Sequence, residues 1–458
     1  MLFALLLTLA APSDWVPARW RWLETKTLEW LKGTPVNCLL IDWDSQQKSQ
    51  AAVFAEAAAE QGLATLAIIH PGGDPSEPAR DAIRAKLTGV VLEGDFSPEV
   101  AQRVKTAVAP APLIELTLRS RMPLGSDAPV IGTYQGVWPG IPVMEDGAAK
   151  AGPSGSPWIN TNAGFLRAAR AFGPSTIWIA NLPPPKTVIA RENYDQVIGD
   201  AEMVGARWVI AIDDDLARRL HDGDKAAKDQ WASIMHQVAF YESHREWHAF
   251  RPYGKLAVVQ GLKDGVLLSG GILDMIGARH TPVLLVPPER LRPEMLTGAT
   301  MAVDVDAASL TPEQRDVLKA FTRAGGTLLT GPTDWKESAA VKPDQITLDD
   351  KETKRLDDIW HDINAMIGRG NLGVRLFNVS SMLSNLLVSS DGKQELVHLV
   401  NYSGFPVESV TVHALGEFHH AYLYTPEGPE KKLEVYKVDE GTGVDIDRVN
   451  VSATVRLE

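Results

Sequence analysis

The sequence predicts an α/β chain of three parts: a distorted (β/α)8 TIM-like barrel, a second doubly wound α/β domain, and a C-terminal antiparallel β-sandwich. Three observations carry this. Eight short apolar runs, mostly 20 to 30 residues apart, fill the first half, at residues 36–41, 63–69, 89–92, 113–114, 130–131, 158–159, 177–180 and 208–212. A second α/β alternation begins near residue 256, and the last ninety or so residues change to a two-residue period. Continuous apolar runs are the mark of strands buried on both faces, and helices between them imply parallel βα units. Eight such units close into a barrel whose functional groups sit where strands end and the next loops begin. An open doubly wound sheet is the alternative.

The connecting helices are unevenly marked. Residues 45–61 carry apolar positions at helical spacing and stop at Gly62, residues 77–87 follow Pro75 and Ser76, and Ser97-Pro98-Glu99 supplies an N-cap, a proline and a first-turn acid. After the runs at 113–114 and 130–131 the chain offers only residues 119–127 and a Gly/Pro-rich stretch, 136–156, so two crossover helices are expected to be missing.

At 458 residues the chain exceeds what one core organises. Domains are expected at 13–250 for the barrel, 251–370 for the second α/β domain and 371–458 for the sandwich, after a signal segment at 1–12. Leu2 to Ala11 is an apolar stretch ending in small residues but lacking a basic start. It reads as an export signal, hence a secreted or periplasmic protein, with a buried N-terminal helix as the alternative. It is too short to span a bilayer, so no membrane association is expected. The net charge of −13, with no basic stripe interleaved with aromatics, argues against nucleic acid as a partner. The one cysteine, Cys38, excludes an internal disulfide and reads as a core residue. No His-x-His or His-Glu-x-x-His spacing occurs, so no metal or other cofactor is expected, and a metal-dependent hydrolase using His70 with the aspartates is the disfavoured alternative.

The run Leu310-Thr311-Pro312-Glu313-Gln314, continued by Ala324-Gly325-Gly326-Thr327-Leu328, resembles the glutamine-amidotransferase-like domain of family 42 β-galactosidases and their relatives. His398-Leu399-Val400-Asn401-Tyr402-Ser403 is similar to the C-terminal β domain of many barrel glycosidases, and the domain order matches the same layout. The resemblance implies a glycoside hydrolase-like protein acting on an oligosaccharide. It also implies a middle domain that builds a homo-oligomer without amidotransferase chemistry, consistent with the absence of a cysteine nucleophile there. Such enzymes present an Asn-Glu pair after strand four and a second Glu after strand seven. Counting from residue 36, strand four carries Glu115 behind Ile114, and strand seven ends in Asn181-Leu182-Pro183 without a carboxylate, so those residues do not carry over. A non-catalytic carbohydrate-binding or scaffold protein on a degenerate barrel is therefore the alternative.

Glycoside hydrolysis needs two carboxylates across the scissile bond, about 5 to 5.5 Å apart for retention and roughly 6.5 to 9.5 Å for inversion. The acids closing the runs are the candidates. Glu93 is expected as acid/base, between apolar Leu92 and Phe96, and Asp213 or Asp214 as nucleophile or water-activating base. Asp42, Trp43, His70, Asp95, Glu115, Trp138, Trp158, Asn160 and Asn162 are expected to bind substrate, because aromatic faces stack on pyranose C–H faces while amides and acids bond the hydroxyls. Each has a plainer reading. The three aspartates 213–215 also make a good helix N-terminus, Asp44 caps the helix at Ser45, Glu115 is a polar residue turned into a barrel layer, and His70 is a turn residue. Trp15, Trp20, Trp22 and Trp30 read as packing at the bottom of the barrel.

Overall fold

The computed structural model describes residues 10–139, 143–145, 148–150, 161–261, 280–305, 307, 310–330, 358, 361–379 and 381–458. The chain divides into two compact units. The first comprises residues 1–136, 173–189 and 206–242, and the second residues 137–172, 190–205 and 243–458.

The first unit holds an eight-stranded parallel sheet of β1 (Pro17–Arg19), β2 (Cys38–Asp42), β3 (Ala64–Ile69), β4 (Gly89–Glu93), β5 (Leu113–Thr117), β6 (Val130–Thr133), β7 (Thr176–Ile179) and β8 (Arg207–Trp208), paired in chain order. A parallel bridge from Ala18 to Ile210 returns the last strand to the first. It is made by Arg19 N–H on the Ile210 carbonyl at 2.8 Å and Ile210 N–H on the Pro17 carbonyl at 2.9 Å. Alternate side chains fill the interior, among them Trp15, Leu40, Leu66, Ile68, Val91, Ile114, Leu116, Trp178 and Val209. The intervening residues face outward: Val90 and Leu92 pack with Ala101 and Val104 of the helix Pro98–Val108. Burying each such aliphatic side chain stabilises the fold by roughly 1.5–3 kcal/mol.

The membership of the barrel differs from the expectation in one strand. The first strand is Pro17–Arg19, three residues opened by a proline, too short to register as an apolar run. The expected strand at 158–159 lies outside the described residues. The helix expected to be missing after the 113–114 run is indeed replaced by a single 3-10 turn, Arg119–Arg121; residues 136–156 are described only in part, with the paired strands Val143–Glu145 and Ala148–Lys150, and the helix Ala163–Arg170 follows that stretch. At the bottom of the seam Arg207, almost fully buried, donates to Glu242 through two bonds of 3.0 Å and to the carbonyls of Ser13 and Trp15 at 2.8 Å.

The second unit contains a four-stranded parallel sheet in the order Leu284–Val286, Leu256–Val259, Met301–Asp304, Thr327–Thr330. The doubled-back order is that of an open α/β sheet. Its helix Pro312–Arg323 opens with a capping box, Thr311 accepting from Gln314 N–H and the Gln314 side chain accepting from Thr311 N–H. Residues 270–277, whose pattern suggests a helix, lie outside the described residues. Two antiparallel sheets follow, of six and four strands, sharing one apolar core that includes Met382, Leu386, Val397, Val410, Val412, Val444, Ile446 and Val455. This is the expected sandwich.

Glu395 lies buried in the strand Glu395–Asn401, and burial raises its carboxyl from 4.5 to about 8. The folded chain thus keeps a proton that the unfolded chain has lost, so stability is full below about pH 4.5 and declines until about pH 8. Glu395→Gln should flatten this part of the dependence, as measured by urea midpoints from pH 5 to 8. An unchanged slope would show that Glu395 does not set it.

Candidate functional site

Strand parity decides which side chains reach the mouth of the barrel. Cys38 and Leu40 point inward on β2, Ala64, Leu66 and Ile68 on β3, and Val91 on β4, so Asp42, His70 and Glu93 continue the inward rows at the C-terminal ends. Glu93 is buried and accepts an ion-paired hydrogen bond from Arg19 Nη2 at 2.5 Å, and the same nitrogen donates to the Ala180 carbonyl at 3.0 Å. Arg19 therefore spans from β1 to β4 and to the end of β7. The turn after Glu93 depends on Gly94, at φ +138°, where a Cβ would stand 2.5 Å from the Pro71 ring.

Counting from Pro17–Arg19, Glu93 closes strand four rather than strand three. The acid/base role expected for it rested on Leu92 and Phe96. Both belong to the outward-facing cluster, and the neighbour that meets Glu93 inside is the Arg19 guanidinium.

The remaining acids are engaged around the rim. Asp42 Oδ1 is 3.2 Å from His70 Nε2, both exposed. Asp95 pairs with Arg121 from the following loop. Asp214, exposed, accepts from Arg21 Nη1 at 2.8 Å, while Arg21 Nη2 donates to the Ile212 carbonyl at 3.1 Å. Asp213 is buried and caps the helix Asp214–His221, its Oδ1 accepting from Asp215 and Leu216 N–H at 3.0 Å and its Oδ2 from Ile189 N–H at 3.3 Å. The plainer reading of the aspartate triplet thus accounts for Asp213. Asp215 pairs with Arg218 and Arg219, which hold its carboxyl below the usual range. Asp44 caps the turn at Ser45, as the alternative reading had it.

Several expected ligands stand elsewhere. Glu115 alternates with the inward Ile114 and Leu116 and so faces outward, where burial raises its carboxyl. Trp43 likewise packs in the outward layers, against clusters containing Ala79 and Ala82. Trp158 and Asn160 lie outside the described residues.

Trp138 and Asn162 belong to the second unit. Trp138 is buried edge-on against Tyr194 at 5.5 Å, a packing role. Asn162, also buried, accepts from Val137 N–H at 2.8 Å and donates to the Val137 carbonyl at 2.9 Å. Its backbone and side-chain N–H groups donate to Asp200 at 2.8 and 2.9 Å. Thr161 and Tyr402 hydroxyls complete the shell of Asp200 at 2.5 and 2.7 Å; burial raises that carboxyl while these bonds oppose the shift. Asn162 is a structural clamp.

Sequence reasoning missed Arg19, Arg21 and the tryptophans after them. Trp20 and Trp22 follow the C-terminal end of β1, and Trp30 meets both rings, at 6.0 and 5.0 Å, so this group belongs to the mouth end and not the bottom. Trp231 joins it through Nε1 on the Trp30 carbonyl at 2.9 Å. Trp22 and Trp30 keep partly exposed faces. The signal was the alternation Arg19-Trp20-Arg21-Trp22, a two-residue period.

Among the described residues no group of three His, Cys, Asp or Glu side chains could hold a metal ion, and no helix is long and apolar enough to cross a membrane.

No family model matches the chain, and no curated protein matches it in sequence. Solved structures do match. Alpha-L-fucosidase isoenzyme 2 from Paenibacillus thiaminolyticus superimposes with a TM-score of 0.66 at 10% identity, over 97% of this chain and 99% of that one. A rhamnosidase from a Novosphingobium species matches at TM-score 0.45 and 12% identity, over 92% of this chain and 44% of that one. An exo-carrageenase of family 42 from Bacteroides ovatus matches at 0.41 and 9%, over 91% and 57%. The structural neighbours are glycoside hydrolases, and the fold of this chain, from barrel to antiparallel sheets, is that of the fucosidase.

Arg19→Met would leave the Glu93 charge buried without its cation, at a cost of about 3–5 kcal/mol. Adding Glu93→Gln should recover much of that loss in urea denaturation. Additive effects of the two substitutions would mean the pair is not coupled.

Proposed function

We propose that this protein is an exported glycoside hydrolase acting on an oligosaccharide at the mouth of the barrel, with Glu93 as the principal carboxylate. The observation that carries the reading is the buried Arg19–Glu93 pair at the end of strand four. The family 42 resemblance implies an Asn-Glu pair after strand four, and here Leu92 stands in the place of the asparagine. Ion-paired with Arg19, Glu93 takes the part of nucleophile or water-activating base in this proposal. Asp42, paired with His70, and Asp214, paired with Arg21, are the rim carboxylates available as its counterpart. The partly exposed faces of Trp22 and Trp30 offer stacking surfaces for a sugar ring. The fold shared with a fucosidase makes α-L-fucosides the first substrates to try.

A second reading, a carbohydrate-binding protein without turnover, is favoured by one observation: Asp42, Asp95, Asp213 and Asp214 are each already engaged in an ion pair or a helix cap. Both readings are separated by assaying a panel of aryl glycosides, aryl α-L-fucoside included, against exported and cytoplasmic fractions of cells expressing the full sequence. Turnover is expected in the exported fraction and should fall at least about a thousandfold in Glu93→Gln, with sugar affinity nearly unchanged. Undamaged turnover in that variant would remove Glu93 from the chemistry. Sugar binding without any turnover by the parent protein would establish the second reading, and activity confined to the cytoplasm would overturn export.

Assembly belongs to the same proposal. The domain expected at 251–370 supplies a subunit interface, and sedimentation at micromolar concentration should give a homo-oligomer; a monomer would overturn this part alone.

A further inference from the structure

The second unit encloses a cavity of about 270 Å³ that has no part in the proposed chemistry. Its wall is largely apolar, with Phe250, Leu285, Met295 and Leu387 among its side chains. Its charged groups do not balance. Arg167, Arg170 and Arg251 line it against one carboxylate, Glu202, which is buried with Oε2 3.4 Å from His248 Nε2. The Arg170 guanidinium borders the cavity and is largely removed from water, and its one hydrogen bond runs to the His248 carbonyl at 3.4 Å. No carboxylate among the described residues pairs with it.

A cation held in apolar surroundings without a counter-ion is costly, and such sites are completed by an anion that brings its own charge. Two of its neutral polar groups are committed within the fold: Asn385 Nδ2 donates to the Met203 carbonyl at 2.8 Å, and His398 Nδ1 lies 2.8 Å from Thr454 Oγ1. Burial takes the His398 imidazole down to about 3, so it adds no charge at neutral pH.

We propose that this cavity is a binding site for a small organic monocarboxylate with an aromatic or branched apolar body, its carboxylate on Arg170 and its body between Phe250, Leu285 and Met295. The volume lies just below the range of about 300–1,000 Å³ for drug-sized ligands, which sets the occupant at about a dozen non-hydrogen atoms. The ligand is thus chemically unlike the oligosaccharide proposed for the barrel, and the site stands whether or not the barrel is catalytic.

Titration calorimetry of the full chain with 2-naphthoate, and with its uncharged counterpart 2-naphthamide, tests this. Saturable binding of 2-naphthoate is expected, at least about tenfold tighter than the amide, since the charged hydrogen bond to arginine is the difference. Arg170→Gln should weaken 2-naphthoate by at least about tenfold and leave the amide unchanged. Met295→Trp, which fills the cavity, should abolish binding of both while thermal unfolding stays cooperative, and it decides the matter should Arg170→Gln fail to fold. Glu93→Gln should leave 2-naphthoate binding as it was, which separates this site from the barrel mouth. Equal affinity for acid and amide, retained binding in Met295→Trp, tighter binding of glucuronate than of 2-naphthoate, or no binding at all would each overturn the proposal.

Discussion

A parallel barrel is stable only if its last strand returns to its first, and here that return is made on a strand of three residues. Pro17–Arg19 pairs fully with β2, but toward β8 it offers a single bridge, Ala18 to Ile210. Three arginines reinforce it. Arg207 fastens the bottom of the seam to the Ser13 and Trp15 carbonyls, Arg21 reaches across the top to the Ile212 carbonyl and Asp214, and Arg19 crosses the interior to Glu93 and the Ala180 carbonyl. A guanidinium with several donors in a fixed plane suits this work, because one side chain can satisfy carbonyls and carboxylates from different strands.

The same arrangement shapes the mouth. Two of the three seam arginines end on carboxylates that a glycosidase reading would recruit, so closure of the barrel and the electrostatics of the site are one set of interactions. Around the rest of the rim, pairs join neighbouring loops, Asp42 with His70 and Asp95 with Arg121. Exposed pairs of this kind add little stability, typically below about 1 kcal/mol, and they leave the rim free to exchange partners with a ligand. Glu93 is the exception: its partner is fixed and both groups are nearly dry.

Most of the fold could be read in the sequence because a strand buried on both faces has no choice but to be apolar throughout. Residues 38–42, 64–69, 89–93, 113–117, 130–133 and 176–179 declare themselves in this way. That same property hides orientation. In Leu113-Ile114-Glu115-Leu116 nothing tells which face is the interior, and the choice decides whether Glu115 lines the mouth or the helical layer. Pro17–Arg19 escaped because its signal is pairing register rather than hydrophobicity, and with it went the strand count that brings Glu93 to strand four. Asp213 was legible as a cap from its position before Asp214, Asp215 and Leu216. The burial of Trp138 and Asn162 was not, since it depends on Tyr194 and Asp200, residues more than thirty positions away in sequence.

The carboxylate of Asp200 bears on how the chain is made. Its shell draws on Thr161, Asn162 and Tyr402, so this carboxylate meets its last partner only when residue 402 has been synthesised. Asp200 and Tyr402 are 202 positions apart in the chain. At a ribosomal pace of about 5–20 residues per second this is a wait of roughly 10 to 40 s. For that interval an acid destined for the interior stands without its tyrosine, in a segment already outside the ribosome while the strands that will bury it do not yet exist. The order of synthesis thus runs against the order of assembly in the second unit, and its earliest segments are the ones that must be kept from collapsing elsewhere.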